Sequence, residues 1–285
     1  MNIVRLCLFI KRKGKLLFPS FFLFSLFPIT AQTYQQLAEQ ALQYIEKDSL
    51  KQAEELFHQA LKLEPANPHN ALIFSNIGTL QRRMQRFDEA IESYTYALNL
   101  APYSTPILLN RAAVYLEQGL SNRAYIDYCQ TLDIAKKNVE ALSMRAYIYI
   151  TKRDYIAARI DYNRLLEIEP QHYNARLGLA TLNQKEKKFQ EAIAILEGII
   201  TDHPADATLY LARAEIEQDM NLQDMALMDI KKVIELDASS AEAFLLCGKI
   251  YLAQKKKKLA KQNFEKAITL GIPPSELHEL LQQCK

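Results

Sequence analysis

The chain has 285 residues, enough for one large domain or two ordinary ones. Hydrophobic residues make up 49% of it and charged residues 24%, with a formal net charge of +2, which excludes a highly charged disordered chain. Only 7 glycines and 10 prolines are present, so a Gly/Pro-rich low-complexity chain is excluded and helices are favoured.

The first element along the chain, residues 1–31, differs in composition from the rest. It contains no acidic residue and five basic ones: Arg5, Lys11, Arg12, Lys13 and Lys15. An apolar run from Leu16 to Phe27 follows, and a small residue, Ala31, stands at a plausible cleavage site. This order is typical of a secretory signal peptide. The alternative is an uncleaved anchor, for which the apolar run is short.

Removal of this segment would change the charge of the chain. It takes away five of 35 basic residues and no acidic one, leaving 30 Lys and Arg against 33 Asp and Glu, a net charge of −3. A surface of that charge gives no support for nucleic acid as a partner. Because basic residues stay on the cytoplasmic side, we expect the rest of the chain to be exported, to the periplasm or cell envelope. Membrane contact is expected only through an uncleaved leader.

From residue 34 onward the chain repeats itself every 34 residues, with three extra residues after the first repeat. Repeats one to seven span 34–67, 71–104, 105–138, 139–172, 173–206, 207–240 and 241–274. Position 20 is always alanine: Ala53, Ala90, Ala124, Ala158, Ala192, Ala226 and Ala260. Position 8 is always small: Ala41, Gly78, Ala112, Ala146, Ala180, Ala214 and Gly248. Position 24 is always large and apolar: Phe57, Tyr94, Tyr128, Tyr162, Leu196, Ile230 and Phe264.

These columns indicate a pair of antiparallel helices in each repeat. Positions that face each other across such a pair have a near-constant sum, and both 8 with 20 and 4 with 24 fulfil this. Two small residues let the helix axes approach closely, while the large residues fill the space beside them. Proline at position 32 of four repeats ends the second helix: Pro65, Pro102, Pro170 and Pro204.

The repeats resemble tetratricopeptide repeats. Repeat one shows the family pattern with Leu37, Ala41, Tyr44, Ala53, Phe57, Ala60 and Pro65. The resemblance covers residues 34–274 and implies an all-α, right-handed superhelical solenoid of seven helix-turn-helix repeats. Repeats five and six depart from the pattern, with Asn183 and Glu217 at position 11, so their packing is expected to be looser or locally altered.

Residues 275–285 are expected to form a C-terminal capping helix. Pro273 and Pro274 break the chain, and Ser275 is expected to cap the new helix. Its apolar face holds Leu277, Leu280, Leu281 and Cys284. Such a helix covers the exposed end of a solenoid.

Charged residues at positions 7 and 23 occur together or not at all. The repeats that have both carry Arg111 with Asp127, Arg145 with Asp161, and Arg213 with Asp229. Because the two positions lie near each other across the helix pair, we predict three structural ion pairs, partly buried between helices. A catalytic role for these residues is disfavoured, since three copies at equivalent places indicate structure.

The sequence holds no motif that predicts an enzyme, a cofactor or a small-molecule substrate. No Gly-rich phosphate loop or nucleophile elbow is present. His278 and Glu279 begin a zinc-protease-like motif, but Gln282 replaces its second histidine, so no metal site is expected. Beyond the leader, Cys129, Cys247 and Cys284 are expected to be unpaired, with a Cys247–Cys284 bridge as the alternative.

The resemblance implies that the first helix of each repeat lines a concave, partner-binding groove, with contacts from positions 2, 5, 9, 12 and 13. In repeats three and four these positions include Leu109, Ala113, Leu116, Ser143, Tyr147 and Ile150. Arg82 and Arg83 of repeat two stand beside them. An apolar strip next to a basic spot suits an extended or helical peptide with an acidic flank. Alternatively, some of the apolar residues only pack against the next repeat.

The sequence therefore predicts a non-catalytic scaffold of the bacterial envelope that binds a protein or peptide in its groove. One alternative is a structural subunit of an envelope or secretion assembly that docks through its convex face. A hydrolase is disfavoured by the missing motifs, and a glycan-binding module by the absence of tryptophan.

Overall fold

The computed structural model describes residues 32–285, and this part of the chain is all-α. It contains fifteen helices: α1 (Tyr34–Glu46), α2 (Leu50–Leu63), α3 (Asn70–Arg83), α4 (Phe87–Leu100), α5 (Thr105–Glu117), α6 (Ser121–Ile134), α7 (Val139–Thr151), α8 (Tyr155–Ile168), α9 (Tyr173–Lys185), α10 (Phe189–Asp202), α11 (Ala207–Asp219), α12 (Gln223–Leu236), α13 (Ala241–Ala253), α14 (Lys257–Thr269) and α15 (Pro274–Gln283). Each repeat holds two of them, from α1 and α2 in repeat one to α13 and α14 in repeat seven.

The small columns set the distance between the two helices of a repeat. The residues at positions 8 and 20 are buried in every repeat, and so is the large side chain at position 24. In repeat seven the helices approach so closely that a Cβ on Gly248 would lie 2.5 Å from Cε1 of Phe264. The large residue at position 24 thus packs directly over the small one at position 8, as the sum rule requires.

Side-chain caps begin most of the first helices but only one second helix, α8, which Asp154 caps. Five first helices have a side chain that accepts a hydrogen bond from a first-turn N–H group: Thr33, Asn138, His172, Asp206 and Ser240. The turn into each second helix instead passes through one left-handed residue at position 15: Asp48, Gln85, Gly119, Arg153, Lys187, Asn221 and Lys255. Only Gly119 adopts this conformation without a steric cost, so six repeats accept strain to keep the same turn.

The last helix covers the end of the solenoid. Leu277 of α15 is buried against Phe264 and Ala267 of α14, and Leu280, Leu281 and Cys284 pack beside them. Ser275 does not cap this helix: α15 begins at Pro274, one residue earlier, and no side chain bonds to its first turn. Proline at the first helical position supplies the required φ angle and has no N–H group to satisfy.

The first helices of neighbouring repeats lie side by side, as α3 with α5, α7 with α9 and α11 with α13. They therefore form one continuous inner surface, and the second helices form the outer one. The signal-peptide prediction falls on residues 1–31, which lie outside the described part of the chain. Within residues 32–285, every helix is too short or too polar to cross a membrane.

Candidate functional site

The inner surface contains a pocket of about 390 Å³ between α7 of repeat four and α9 of repeat five. Met144, Tyr147 and Ile150 line it from α7, Leu177 and Thr181 line it from α9, and Tyr162 of α8 forms its floor. This α7–α9 pocket has mostly apolar walls, and Ser143 and Asn174 add polar groups. Its volume lies near the lower end of the range for ligand sites, about 300–1,000 Å³, which suits a side chain better than a large cofactor.

Gly178 has no side chain and so leaves room for Tyr162 at the floor of the α7–α9 pocket. A Cβ on Gly178 would lie 2.3 Å from Cζ of Tyr162 and 2.7 Å from its Oη, so only glycine lets the Tyr162 ring extend under α9. The Tyr162 side chain is consequently deep, with 4% of its surface exposed. Burial, followed by the nearby Tyr147, raises the pKa of Tyr162 to about 12, so its hydroxyl stays neutral over the physiological range.

The tyrosine hydroxyls at position 24 have three different environments. In repeat two, Tyr94 Oη lies 2.9 Å from Thr79 Oγ1. In repeat three, Tyr128 Oη is fully buried and has no hydrogen-bond partner among residues 32–285. No hydrogen bond to Tyr162 Oη is found within this range, and Tyr162 lines the α7–α9 pocket. A ligand in the α7–α9 pocket can therefore reach a hydrogen-bonding group that the protein itself leaves unused.

The structure separates the expected groove residues into two groups. Ser143, Tyr147 and Ile150 line the α7–α9 pocket, and Tyr147 is 53% exposed. Leu109 and Leu116 are half-buried and pack against the core shared by repeats three to five. Ala113 of α5 is half-buried as well. For Leu109 and Leu116, both the groove role and the alternative role of packing against the next repeat stay predictions.

The expected basic spot is neutralised by acidic residues of neighbouring repeats. Arg82 donates to both carboxylate oxygens of Glu117, with Nε 3.0 Å from Oε1, and Arg83 Nη2 lies 2.7 Å from Asp48 Oδ1. The bond to Glu117 raises the pKa of Arg82. Each guanidinium group is thus paired with a carboxylate of a neighbouring repeat, and a role of Arg82 and Arg83 in binding an acidic flank stays a prediction.

Six residues that line the α7–α9 pocket were not predicted as groove residues: Met144, Tyr162, Asn174, Leu177, Gly178 and Thr181. Asn174, Leu177 and Thr181 occupy positions 2, 5 and 9 of repeat five, the columns that pointed to the groove in repeats three and four. Applying the same columns one repeat further would have found them. Gly178 stands at position 6, where no rule predicts that a missing side chain makes room for a tyrosine of the preceding helix.

The three Arg–Asp sets form two-point hydrogen bonds inside their helix pairs. Arg145 donates from Nε to Asp161 Oδ2 at 2.7 Å and from Nη2 to Oδ1 at 2.8 Å. Arg111 with Asp127, and Arg213 with Asp229, have the same geometry. Asp161 is only 1% exposed, and its hydrogen bonds raise the pKa of Arg145. These residues fasten helices together and do not line the α7–α9 pocket.

A second set of polar contacts joins position 11 of repeats four and five to position 21 of the preceding repeat. Tyr149 Oη lies 3.0 Å from Tyr125 Oη, and Asn183 accepts a hydrogen bond from Arg159 Nη2 at 2.7 Å. The same register places Ile193 opposite Glu217, which is 2% exposed and whose Oε2 has no partner among residues 32–285. Burial, followed by the charge of Asp229, raises the pKa of Glu217 to about 7.

The remaining candidates for chemistry stay apart. Within residues 32–285, no group of three His, Cys, Asp or Glu residues could hold a metal ion. His278 Nε2 lies 2.8 Å from the side-chain nitrogen of Gln282. Cys129, Cys247 and Cys284 are free thiols, and burial raises the pKa of Cys247 to about 11, which keeps it in the unreactive thiol form.

Comparison with protein families and solved structures places these features in context. Tetratricopeptide repeat models match residues 39–105, 149–216 and 241–270. A crystal structure of a tetratricopeptide repeat protein from Parabacteroides merdae is 35% identical, with a TM-score of 0.74, over 89% of this chain and 99% of that one. A search of curated proteins found no significant match.

More distant solved structures share the fold at lower identity. The type IV pilus biogenesis factor PilW is 20% identical over 68% of this chain and 90% of its own, with a TM-score of 0.61. YrrB, described as a protein with an unusual peptide-binding site, is 18% identical over 70% of this chain and 97% of its own, with a TM-score of 0.55.

Proposed function

Because the chain belongs to the tetratricopeptide repeat family, we propose that it is a non-catalytic scaffold that binds a protein or peptide in its concave groove. The observation that carries this proposal is the α7–α9 pocket, which opens on the inner surface and holds three of the residues that the sequence analysis assigned to the groove. A segment of the partner lies along the first helices and inserts one side chain into the α7–α9 pocket.

The chemistry of the inner surface supports a peptide over a small molecule. The α7–α9 pocket has apolar walls and polar groups from Ser143, Asn174 and Thr181, which can hydrogen-bond to a main chain above it. Burial of a side chain in an apolar pocket beside such polar groups is how grooves of this kind hold extended segments. The peptide-binding site named for YrrB accords with a scaffold function.

The proposal includes an envelope location, which rests on the composition of residues 1–31. Cell fractionation with mass spectrometry of the purified chain tests it. We expect release with the periplasmic fraction and a mature N-terminus at Gln32 or within a few residues of it. Recovery from the cytoplasm with residues 1–31 retained would contradict this location.

Apolar residues on the outer surface favour a second candidate function, docking into an assembly through the convex face. Ile126 and Ile160 occupy position 22 of repeats three and four and are more than half exposed, and Ile156 of α8 is 78% exposed. A contiguous apolar patch on the outer helices is typical of an interaction surface.

One experiment separates the two functions. The tagged full chain is purified from its own host, and the mass of its complexes is measured by size-exclusion chromatography with light scattering. We expect a complex with the wild type and with Ile156→Ala, and loss of that complex with Tyr147→Ala. Both side chains are largely exposed, so neither substitution disturbs the core. A complex that survives Tyr147→Ala and disappears with Ile156→Ala would show that the partner binds the convex face and not the groove.

A further inference from the structure

One polar group of the α7–α9 pocket limits what kind of side chain the pocket can hold. Tyr162 lines the pocket together with Met144, Ile150 and Leu177, and its Oη lies 2.7 Å from where a Cβ on Gly178, another lining residue, would stand. A wholly apolar side chain would fill this space but would leave the Tyr162 hydroxyl desolvated and without a partner, which costs binding free energy. The occupant therefore needs a polar group at its tip.

The charge of the surroundings excludes an ionised tip. Within residues 32–285, the lining of the α7–α9 pocket contains no Asp, Glu, Lys, Arg or His. A carboxylate or ammonium group would lose its hydration and find no opposite charge there. The tip must be neutral, and it must accept the hydrogen bond that the Tyr162 hydroxyl can donate. An indole N–H group donates only, whereas a phenol both donates and accepts.

We propose that the α7–α9 pocket receives a tyrosine side chain of the partner segment, with its phenol hydroxyl bonded to Tyr162 Oη and its ring held between Met144, Ile150 and Leu177. This proposal rests on the proposed function and deepens it, because it names the residue that anchors the partner. The apolar walls bind the ring, and the floor hydroxyl selects a phenol over a plain benzene ring.

The protein already contains such a phenol pair between two of its own repeats. Tyr125 and Tyr149 approach edge to face with ring centroids 5.6 Å apart, and their hydroxyl oxygens are 3.0 Å apart. Their mutual hydrogen bond raises the pKa of Tyr125. The proposed complex repeats this arrangement between the protein and its partner, one repeat further along the solenoid.

Small aromatic probes test the proposal without knowledge of the partner. The full chain is labelled with ¹³C at its methionine methyl groups and titrated with p-cresol, toluene and 3-methylindole. We expect p-cresol to shift the Met144 resonance and to bind about tenfold more tightly than toluene, because p-cresol can accept a hydrogen bond from the Tyr162 hydroxyl and toluene cannot. Met225 and Met228, exposed on α12, report binding elsewhere on the surface.

Matched variants identify the floor hydroxyl as the cause. Tyr162→Phe removes the hydroxyl without breaking a hydrogen bond within residues 32–285, so we expect p-cresol to bind this variant no more tightly than toluene does. Tyr128→Phe is the control, because the hydroxyl at the same position of repeat three is sealed in the core and its loss leaves p-cresol binding unchanged. The comparison of p-cresol with toluene on the wild type stands even where a variant fails to fold.

Several outcomes would overturn the proposal: equal affinities for p-cresol and toluene, tighter binding of 3-methylindole, no effect of Tyr162→Phe, or shifts at Met225 and Met228 in place of Met144. The proposed function fails separately, in co-purification with Tyr147→Ala, which involves no probe. If Tyr147→Ala abolishes the complex but p-cresol binds no more tightly than toluene, binding in the groove is supported and the tyrosine anchor is rejected.

Discussion

Repeats three and four differ from repeats five and six in how they satisfy the polar side chains between their helices. In repeat four, Arg145 and Asp161 bond through two hydrogen bonds, and repeat three has the same arrangement. Repeat five has Leu179 and Ile195 at those positions. Repeat six regains the ion pair but buries Glu217, one of whose carboxylate oxygens has no partner among residues 32–285.

The geometry of a helix pair and the pairing of the polar groups inside it therefore depend on different residues. The small residues at positions 8 and 20 and the large residue at 24 are buried in all seven repeats, so the helix pairs keep one geometry. The polar groups between them are satisfied locally, repeat by repeat. A solenoid can therefore carry one unsatisfied carboxyl group in repeat six, because each repeat packs only on its neighbours.

The largest effect is expected from a substitution that breaks the ion pair of repeat four. Asp161→Ala leaves Arg145 without its carboxylate in a buried site, and we expect the free energy of unfolding to fall by about 3–5 kcal/mol. Repeat five supplies the control: Asp202 pairs with Arg176 but is 48% exposed, so Asp202→Ala should cost less than about 1 kcal/mol.

Urea unfolding of both single variants and of Arg145→Ala with Asp161→Ala measures the coupling between the two residues. Additive losses in the double variant would show that the pair contributes nothing of its own, and the contrast between repeats four and five would disappear.

The next effect concerns the unpartnered carboxyl of repeat six. Burial, followed by the charge of Asp229, raises the pKa of Glu217 in the folded chain from its usual 4.5 to about 7, and Arg213 opposes this shift. The folded state therefore binds this proton more tightly than the unfolded state does. The resulting stability is fully present below about pH 4.5 and is lost as the pH rises through 7, by up to about 3 kcal/mol.

Glu217→Gln should remove this part of the pH dependence. The difference in the free energy of unfolding between the wild type and the variant should change between pH 4.5 and pH 8. Over this range the wild type should lose stability relative to the variant as the pH rises. Glu265→Gln, an exposed residue of α14, serves as the control. A difference that stays constant over this range would show that Glu217 is ordinarily ionised in the fold.

Two glycine substitutions test the packing at the boundary between repeats four and five. Gly178→Ala drives a Cβ to within 2.3 Å of the Tyr162 ring and should lower the free energy of unfolding by about 1–3 kcal/mol. A Cβ on Gly198 of α10 meets only the flexible end of Arg176, at 2.7 Å. Gly198→Ala should be neutral or stabilise by up to about 1 kcal/mol, since alanine favours helix. Equal effects in thermal melts would contradict this account of the pocket floor.

The smallest effect compares the turns of repeats three and five. Gly119 and Lys187 both adopt the left-handed conformation, with φ angles of 70° and 61°. Gly119→Ala introduces a Cβ penalty and should cost about 1 kcal/mol, whereas Lys187→Gly relieves one and should gain at most about that amount. Chemical denaturation of both variants checks the signs, and a loss of stability in Lys187→Gly would show that its side chain outweighs the strain.

The sequence was sufficient for the family and the all-α solenoid, because both follow from three columns that recur in register. It was insufficient for the α7–α9 pocket, which depends on the space that Gly178 leaves for Tyr162 of the preceding helix. The ion pairs of the basic spot were missed for a related reason: Arg82 and Arg83 each pair with an acidic residue 35 positions away, one repeat along the chain. A search across neighbouring repeats as well as within them would have revealed both pairs.

The central claim is that the partner lies in the groove at the α7–α9 pocket, and site-specific photo-crosslinking in the native cell tests it most directly. A photoreactive amino acid is placed at Asn174, on the α9 side of the pocket, or at Ile156, on the outer surface of α8. We expect one partner protein to be captured from position 174, and that capture to be lost when Tyr147→Ala is added. Capture from position 156 alone would contradict the claim.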